Sequence, residues 1–173
     1  KEHTALKQFI SGQTSFTDLQ TEVPLFDLFG FPLRSPIEKI ADMNDDELNL
    51  LHTQTRQKLF VRNEAKMVLL TLGAAGDQAI SAVVDALLSQ EKDRSPCIDF
   101  FVLSGRNTSL KQVLDAKFIS KKPGPFHFKA LGYQDARSMA ELYTAAYLLL
   151  SKPGGSTTAE ILSLGIPTLI VGY

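Results

Sequence analysis

Apolar and polar positions change rhythm along this chain near Lys66. Upstream, residues 1 to about 60 are polar and helix-like in spacing, interrupted by one extended apolar run from Val23 to Phe29. Ser35-Pro36-Ile37-Glu38 reads as a helix start, with Ser35 as N-cap, Pro36 at the first helical position and Glu38 completing a capping box. A second start follows at Asn44-Asp45-Asp46-Glu47, after which Leu48, Leu51, Thr55 and Leu59 recur at helical spacing. Downstream, short apolar runs alternate with helical segments. The pattern predicts strands at Met67–Leu72, Ile98–Leu103, Phe126–Leu131, Tyr147–Leu150 and Thr168–Val171. Helices are predicted between them: one ending at Leu88, one after Asn107, one around Arg137–Tyr143 and one from about Thr157 to Leu164. Strands apolar on both faces, each followed by a helix, argue a parallel sheet covered on both sides. The expected fold is α/β: a doubly wound, mostly parallel Rossmann-like sheet preceded by a helical connector. The expected division is 1–60 for the remnant and connector, and 61–173 for the sheet domain.

Composition narrows the function classes. The 173 residues are 44% hydrophobic, enough for a core without disulfide or metal staples. Cys97 is the single cysteine and reads as a buried structural thiol before an apolar strand. With 18 Lys+Arg against 19 Asp+Glu, the net charge of −1 gives no electrostatic footprint for nucleic acid. No stretch approaches 18 consecutive apolar residues, so no transmembrane helix is expected, and Lys1-Glu2-His3 begins no secretory segment. The chain starts without Met and is expected to be an excised piece. Lys121-Lys122 with Lys129 reads as a solvated edge loop, with contact to a membrane surface as the lesser alternative.

In open α/β sheets ligands bind outside the carboxyl ends of the strands. Glycines follow four of the expected strands, at Gly73, Gly105, Gly132 and Gly154-Gly155. At the last, two glycines allow close backbone approach, Ser156-Thr157-Thr158 offers an N-cap and hydroxyl donors, and Glu160 follows in the expected first turn. The unpaired N–H groups and dipole of such a helix start suit a diphosphate. An ordinary βα turn with a cap explains the same spacing equally well. Gly73-x-x-Gly76 lacks the dinucleotide fingerprint, and no P-loop is present. His3, His52 and His127 are far apart and have no second ligand at helical spacing, so no metal site is expected. No hydrolase triad can be assembled around Ser104-Gly105.

Lys152-Pro153-Gly154-Gly155-Ser156-Thr157-Thr158-Ala159-Glu160, followed by Leu164-Gly165-Ile166-Pro167, resembles the donor-binding signature of GT-B glycosyltransferases. Within these it resembles glycosyltransferase family 28 and its neighbours, including monogalactosyldiacylglycerol synthases, processive diacylglycerol glucosyltransferases and MurG-type transferases. Four further motifs agree in order. Gly30-Phe31-Pro32-Leu33-Arg34 is similar to the family's G-x-P-x-R segment, and Val68–Gly73 to its first C-domain strand and loop. Ser104-Gly105-Arg106-Asn107 is similar to its C-G-R-N turn, and Leu131–Asp135 with Met139–Leu142 to its G-F-x-D and M-x-E-L pair.

The resemblance implies the C-terminal half of a GT-B fold that binds a UDP-sugar as substrate, without a cofactor or metal. Glu160 would accept from the ribose hydroxyls, while Gly154, Gly155, Ser156 and Thr157 would hold the diphosphate. Gly73 and Ala74 would approach the same phosphates, Tyr133 and Gln134 would border the uracil, and Arg34 would reach the diphosphate. Arg106 and Asn107 are either donor contacts or turn formers. The implied reaction is inverting transfer of a hexosyl group to a lipid or lipid-linked acceptor, with the general base in an N-terminal domain and no catalytic residue in this chain. A cytoplasmic location follows, extending to the inner face of a membrane. The Gly73–Asp77 loop is bulkier than the family's. The competing readings are a UDP-sugar 2-epimerase-like enzyme and a degenerate Rossmann-like interaction domain.

Overall fold

Alternation along the central strands decides how the sheet is covered. In β1 (Lys66–Thr71), Met67 and Leu69 pack in one apolar cluster while Val68 and Leu70 pack in another, all four buried. Successive side chains of a strand point to opposite faces, so both faces of β1 are covered. In this computed structural model the described residues are 32–72, 77–90, 95–152 and 154–171, without the Asp77 side chain. The Val23–Phe29 run, Gly73 and Ala74 lie outside them.

The remaining strands are β2 (Ile98–Leu103), β3 (Phe126–Leu131), β4 (Leu148–Ser151) and β5 (Thr168–Ile170). They form one sheet in the order β3-β2-β1-β4-β5, with every pairing parallel. The expected α/β, doubly wound, parallel architecture is what the chain adopts. The strand order reverses direction at β1, which lies between β2 and β4, so the topological switch point falls at β1 and β4.

Two helical layers sandwich the sheet. Helices α3 (Asp77–Gln90) and α4 (Thr108–Ser120) supply Ile80, Val84, Leu110 and Leu114 to one face. On the other, α1 (Ser35–Ala41), α5 (Ala136–Ala145) and α6 (Gly155–Leu164) pack through Ile37, Met139, Tyr143 and Ile161. Helix α2 (Asp45–Leu59) lies along α5 and contributes Leu48, Leu51 and Leu59 to the same cluster. The two connector helices thus form part of a covering layer within one compact unit, Leu33–Tyr173.

Helix starts follow local chemistry, with two departures from expectation. Asn44 caps α2 in a complete capping box with Glu47, both bonds 3.0 Å. Helix α1, however, takes Arg34 and not Ser35 as its N-cap: the Arg34 carbonyl already accepts from Ile37 and Glu38, at 2.8 and 3.2 Å. Helix α6 starts at Gly155, two residues before the expected Thr157, because the Gly154 carbonyl accepts from the Thr158 N–H at 2.8 Å. Cys97 is half-buried, not buried, and forms no disulfide.

Candidate functional site

The carboxyl ends of the strands collect most of the described candidates, each placed by a different local device. After β2, Gly105 adopts φ +58, a left-handed conformation that costs a side-chain-bearing residue about 1–2 kcal/mol. Asn107 follows as N-cap of α4, its side chain accepting from the Leu110 N–H at 2.8 Å. That carboxamide therefore serves the fold. Arg106 is exposed, and its guanidinium lies 4.7 Å from the ring centroid of Tyr133, bringing the β2 and β3 loops together. Tyr133 is 58% exposed. The Gln134 side chain donates back to the Gly132 carbonyl at 3.2 Å. Asp135 caps α5 by accepting from the Ser138 N–H at 2.7 Å, and this bond holds its carboxyl below the usual range.

After β4, the chain enters α6 without a side-chain cap. Gly154 is extended at φ −144 and ψ 145, and among the described residues, its chain neighbours apart, no atom lies within 4 Å of where its Cβ would stand. Gly154, Gly155 and Ser156 are exposed and Thr157 half-buried. The N–H groups that begin a helix lack intrahelical partners, and the dipole adds about half a positive charge there. Glycine-rich backbone at the switch point therefore presents an open helix N-terminus.

Glu160 sits differently from the expectation of a first-turn residue. With α6 starting at Gly155, it falls in the second turn and is only 3% exposed. Arg34 meets it with a two-pronged contact, Nε to Oε1 at 2.5 Å and Nη2 to Oε2 at 2.8 Å. The Arg34 guanidinium is raised above its ordinary pKa chiefly by this hydrogen-bonded carboxylate. Tyr143, from α5, completes the cluster; burial first, then the neighbouring Glu160 charge, pushes its hydroxyl up to about 12.

The residues at this end thus form three groups. Gly154, Gly155, Ser156 and Thr157 make the open helix start; Arg34 and Glu160 hold each other beside Tyr143; Arg106 and Tyr133 stack between neighbouring loops. Gly73 and Ala74 lie outside the described residues. Sequence reading missed Tyr143, whose sole signal was its place on the apolar face of α5, four residues after Met139. Among the described residues, no group of three or more His, Cys, Asp or Glu is placed to hold a metal ion.

A family model described as the glycosyltransferase family 28 C-terminal domain matches residues 67–173. The chain belongs to this family. Family 28 membership covers β1 through the end of the chain, and therefore includes the open helix start and Glu160. A processive diacylglycerol beta-glucosyltransferase of Bacillus pumilus is 28% identical over 142 residues, covering 82% of this chain and 32% of that protein. The Cutibacterium acnes UDP-N-acetylglucosamine--N-acetylmuramyl-(pentapeptide) pyrophosphoryl-undecaprenol N-acetylglucosamine transferase is 29% identical over 159 residues, 91% of this chain and 40% of that one. This chain spans about a third of the length of such relatives. Among solved structures, Acinetobacter baumannii MurG superposes with a TM-score of 0.52 at 18% identity, over 70% of this chain and 32% of its own. WaaG, a glycosyltransferase involved in lipopolysaccharide biosynthesis, gives 0.54 at 19% identity, over 89% and 41%. Those two likenesses show the shared GT-B fold. The family relationship makes this a domain of the glycosyltransferase type, with relatives in glycolipid and cell-envelope biosynthesis.

Proposed function

We propose that this chain is the donor-binding part of an inverting glycosyltransferase that moves a hexosyl group from a UDP-sugar to a lipid or lipid-linked acceptor. The observation that carries the reading is the uncapped N-terminus of α6, opened by Gly154-Gly155 at the switch point, with Glu160 in the same helix. The N–H groups of Gly155, Ser156 and Thr157, with the two hydroxyls, receive the diphosphate. Tyr133 and Gln134 border the base, and Glu160 accepts from the ribose. Arg34 transfers its guanidinium from Glu160 to the diphosphate.

In the reaction, the acceptor hydroxyl oxygen bonds to the anomeric carbon as the bond from that carbon to the diphosphate oxygen breaks. The hydroxyl proton passes to a general base, which the resemblance assigns to an N-terminal domain. Negative charge grows on the departing UDP. An open helix start stabilises such charge by ~0.3–1 kcal/mol, up to ~2 when partly buried, and a charge-assisted arginine contact contributes ~1.5–3. The acceptor and the membrane reach the enzyme through that other domain, at the cytoplasmic face.

Calorimetric titration of the 173-residue chain with UDP tests this reading. Saturable binding is expected, weakened by about tenfold or more in Glu160→Ala, the loss of roughly 1.4 kcal/mol or more. No sugar transfer is expected from the chain alone. Absence of binding at millimolar UDP would overturn the reading in favour of an interaction domain, and turnover by the chain alone would overturn the assignment of the base.

A further inference from the structure

Under the proposed function Arg34 and Glu160 each gain a partner in the donor; Tyr143, beside them, gains none. It belongs to the apolar face of α5 and is 3% exposed, in the cluster that also holds Met139, Leu142 and Ala145. Phenylalanine fills such a place with no hydroxyl to satisfy. A phenol buried there has to find a partner, and among the described residues no buried side-chain nitrogen or oxygen lacks one. The neighbour is Glu160, whose carboxylate acts on the Tyr143 hydroxyl through both its charge and a hydrogen bond.

Helix geometry explains how the two meet. Helix α5 follows β3 and α6 follows β4 in a parallel sheet, so both start at the carboxyl ends of the strands. Tyr143 is the eighth residue of α5 and Glu160 the sixth of α6. At about 1.5 Å of rise per residue, the tyrosine is rooted roughly 3 Å deeper. Helical side chains lean back toward the helix start, which carries the phenol up to the level of the carboxylate. Glu160 therefore has two kinds of neighbour. Tyr143 is fixed in a packed core, whereas the Arg34 side chain is 43% exposed.

That difference decides which partner stays. When Arg34 leaves for the diphosphate, it uncovers a carboxylate that is itself 3% exposed. An ionised carboxyl offers about four lone-pair sites, so two ribose hydroxyls and one phenol can be accepted together. We propose, resting on the donor-binding reading above, that Tyr143 is a positioning residue for the ribose: its hydroxyl stays on the Glu160 carboxylate when Arg34 departs and keeps that carboxylate turned toward the ribose hydroxyls. Tyr143 touches no substrate and acts only through Glu160. It supplies the donor that a buried acceptor needs during the exchange of arginine for ribose.

Calorimetric titration of the parent and Tyr143→Phe with UDP and with 2′,3′-dideoxy-UDP, whose ribose has no hydroxyl to offer, tests the role. Tyr143→Phe is expected to weaken UDP about five- to tenfold and the dideoxy analogue by no more than about twofold. A packing role alone weakens both equally. The pairing itself is read without nucleotide. Glu160→Gln should move the latest phase of tyrosinate absorbance to lower pH, because the carboxylate that opposes a second negative charge is gone while Arg34 remains. Equal losses for the two nucleotides, or UDP binding undiminished in Tyr143→Phe, overturn the role and leave the donor reading standing. A parent that binds no UDP overturns the donor reading and the role with it. A late phase unmoved in Glu160→Gln overturns the pairing of the two side chains, and that measurement decides alone if Tyr143→Phe fails to fold.

Discussion

Replacing Arg34 with leucine leaves the Glu160 carboxylate in place, beside the Tyr143 hydroxyl, but removes the two guanidinium donors that face it. Glu160 is 3% exposed, so a carboxylate without its partner must be hydrated through a gap or take up a proton. Breaking a fully buried ion pair costs about 3–5 kcal/mol. Here the Arg34 side chain is 43% exposed, so water can enter where the guanidinium was, and the expected cost falls to about 2–3 kcal/mol. The reverse substitution, Glu160→Gln, keeps the shape and frees an arginine that solvent already reaches, at a cost of about 1 kcal/mol. The double variant removes the charge and its partner together and should be more stable than Arg34→Leu alone by about 1–2 kcal/mol. Urea unfolding followed by far-UV circular dichroism measures all four proteins. At roughly 2–4 °C per kcal/mol for a unit of this size, Arg34→Leu should melt about 5–10 °C below the parent. The reasoning is refuted if Arg34→Leu costs less than about 0.5 kcal/mol, within the range of ordinary surface changes. A double variant as unstable as Arg34→Leu would refute it equally.

Other expectations follow from single contacts. Tyr143 ionises late, with its hydroxyl pushed up to about 12 by burial, so the proton it retains in the folded state stabilises the fold below pH ~10. That stability is lost as pH rises from ~10 through about 12, and Tyr143→Phe should remove the latest phase of tyrosinate absorbance at alkaline pH. Tyr147, whose hydroxyl is lowered by its 3.0 Å contact with Lys66 Nζ, should supply an early phase that disappears in Tyr147→Phe. Asn44→Ala breaks the α2 capping box and should cost about 1 kcal/mol in urea unfolding, with Asn44→Ser recovering most of it.

The architecture was legible where local rules and burial agree. Ile98–Leu103 and Phe126–Leu131 match their predicted limits because each apolar run is bounded by residues that turn or cap the chain. At Ser35, the restriction that proline places on its predecessor argues against helical backbone, yet the helix includes that residue and Arg34 takes the cap. Arg34 is meanwhile tied to Glu160, 126 positions away. No spacing rule reaches that distance, so the motifs bring out both residues without indicating that they hold each other. The same applies to Arg106 over Tyr133, which requires β2 and β3 to be neighbours in the sheet. Asn107 was ambiguous in sequence because a donor contact and a helix cap ask for the same side chain, and its bond to the Leu110 N–H engages it as a cap.

The clasp between Arg34 and Glu160 also bears on discrimination among nucleotides. Under the proposed reading, a ribose that claims Glu160 must first displace a guanidinium. If the displaced contact is worth ~2 kcal/mol, about one molecule in thirty has the carboxylate free beforehand, and affinity drops by that fraction. A nucleoside bears this handicap in full, since it offers the arginine nothing in return. A nucleoside diphosphate provides a new anion, and the guanidinium exchanges one negative partner for another. A pair that holds the domain together would thereby make the site a selective reader of phosphate, favouring UDP over uridine even though the ribose they present is the same.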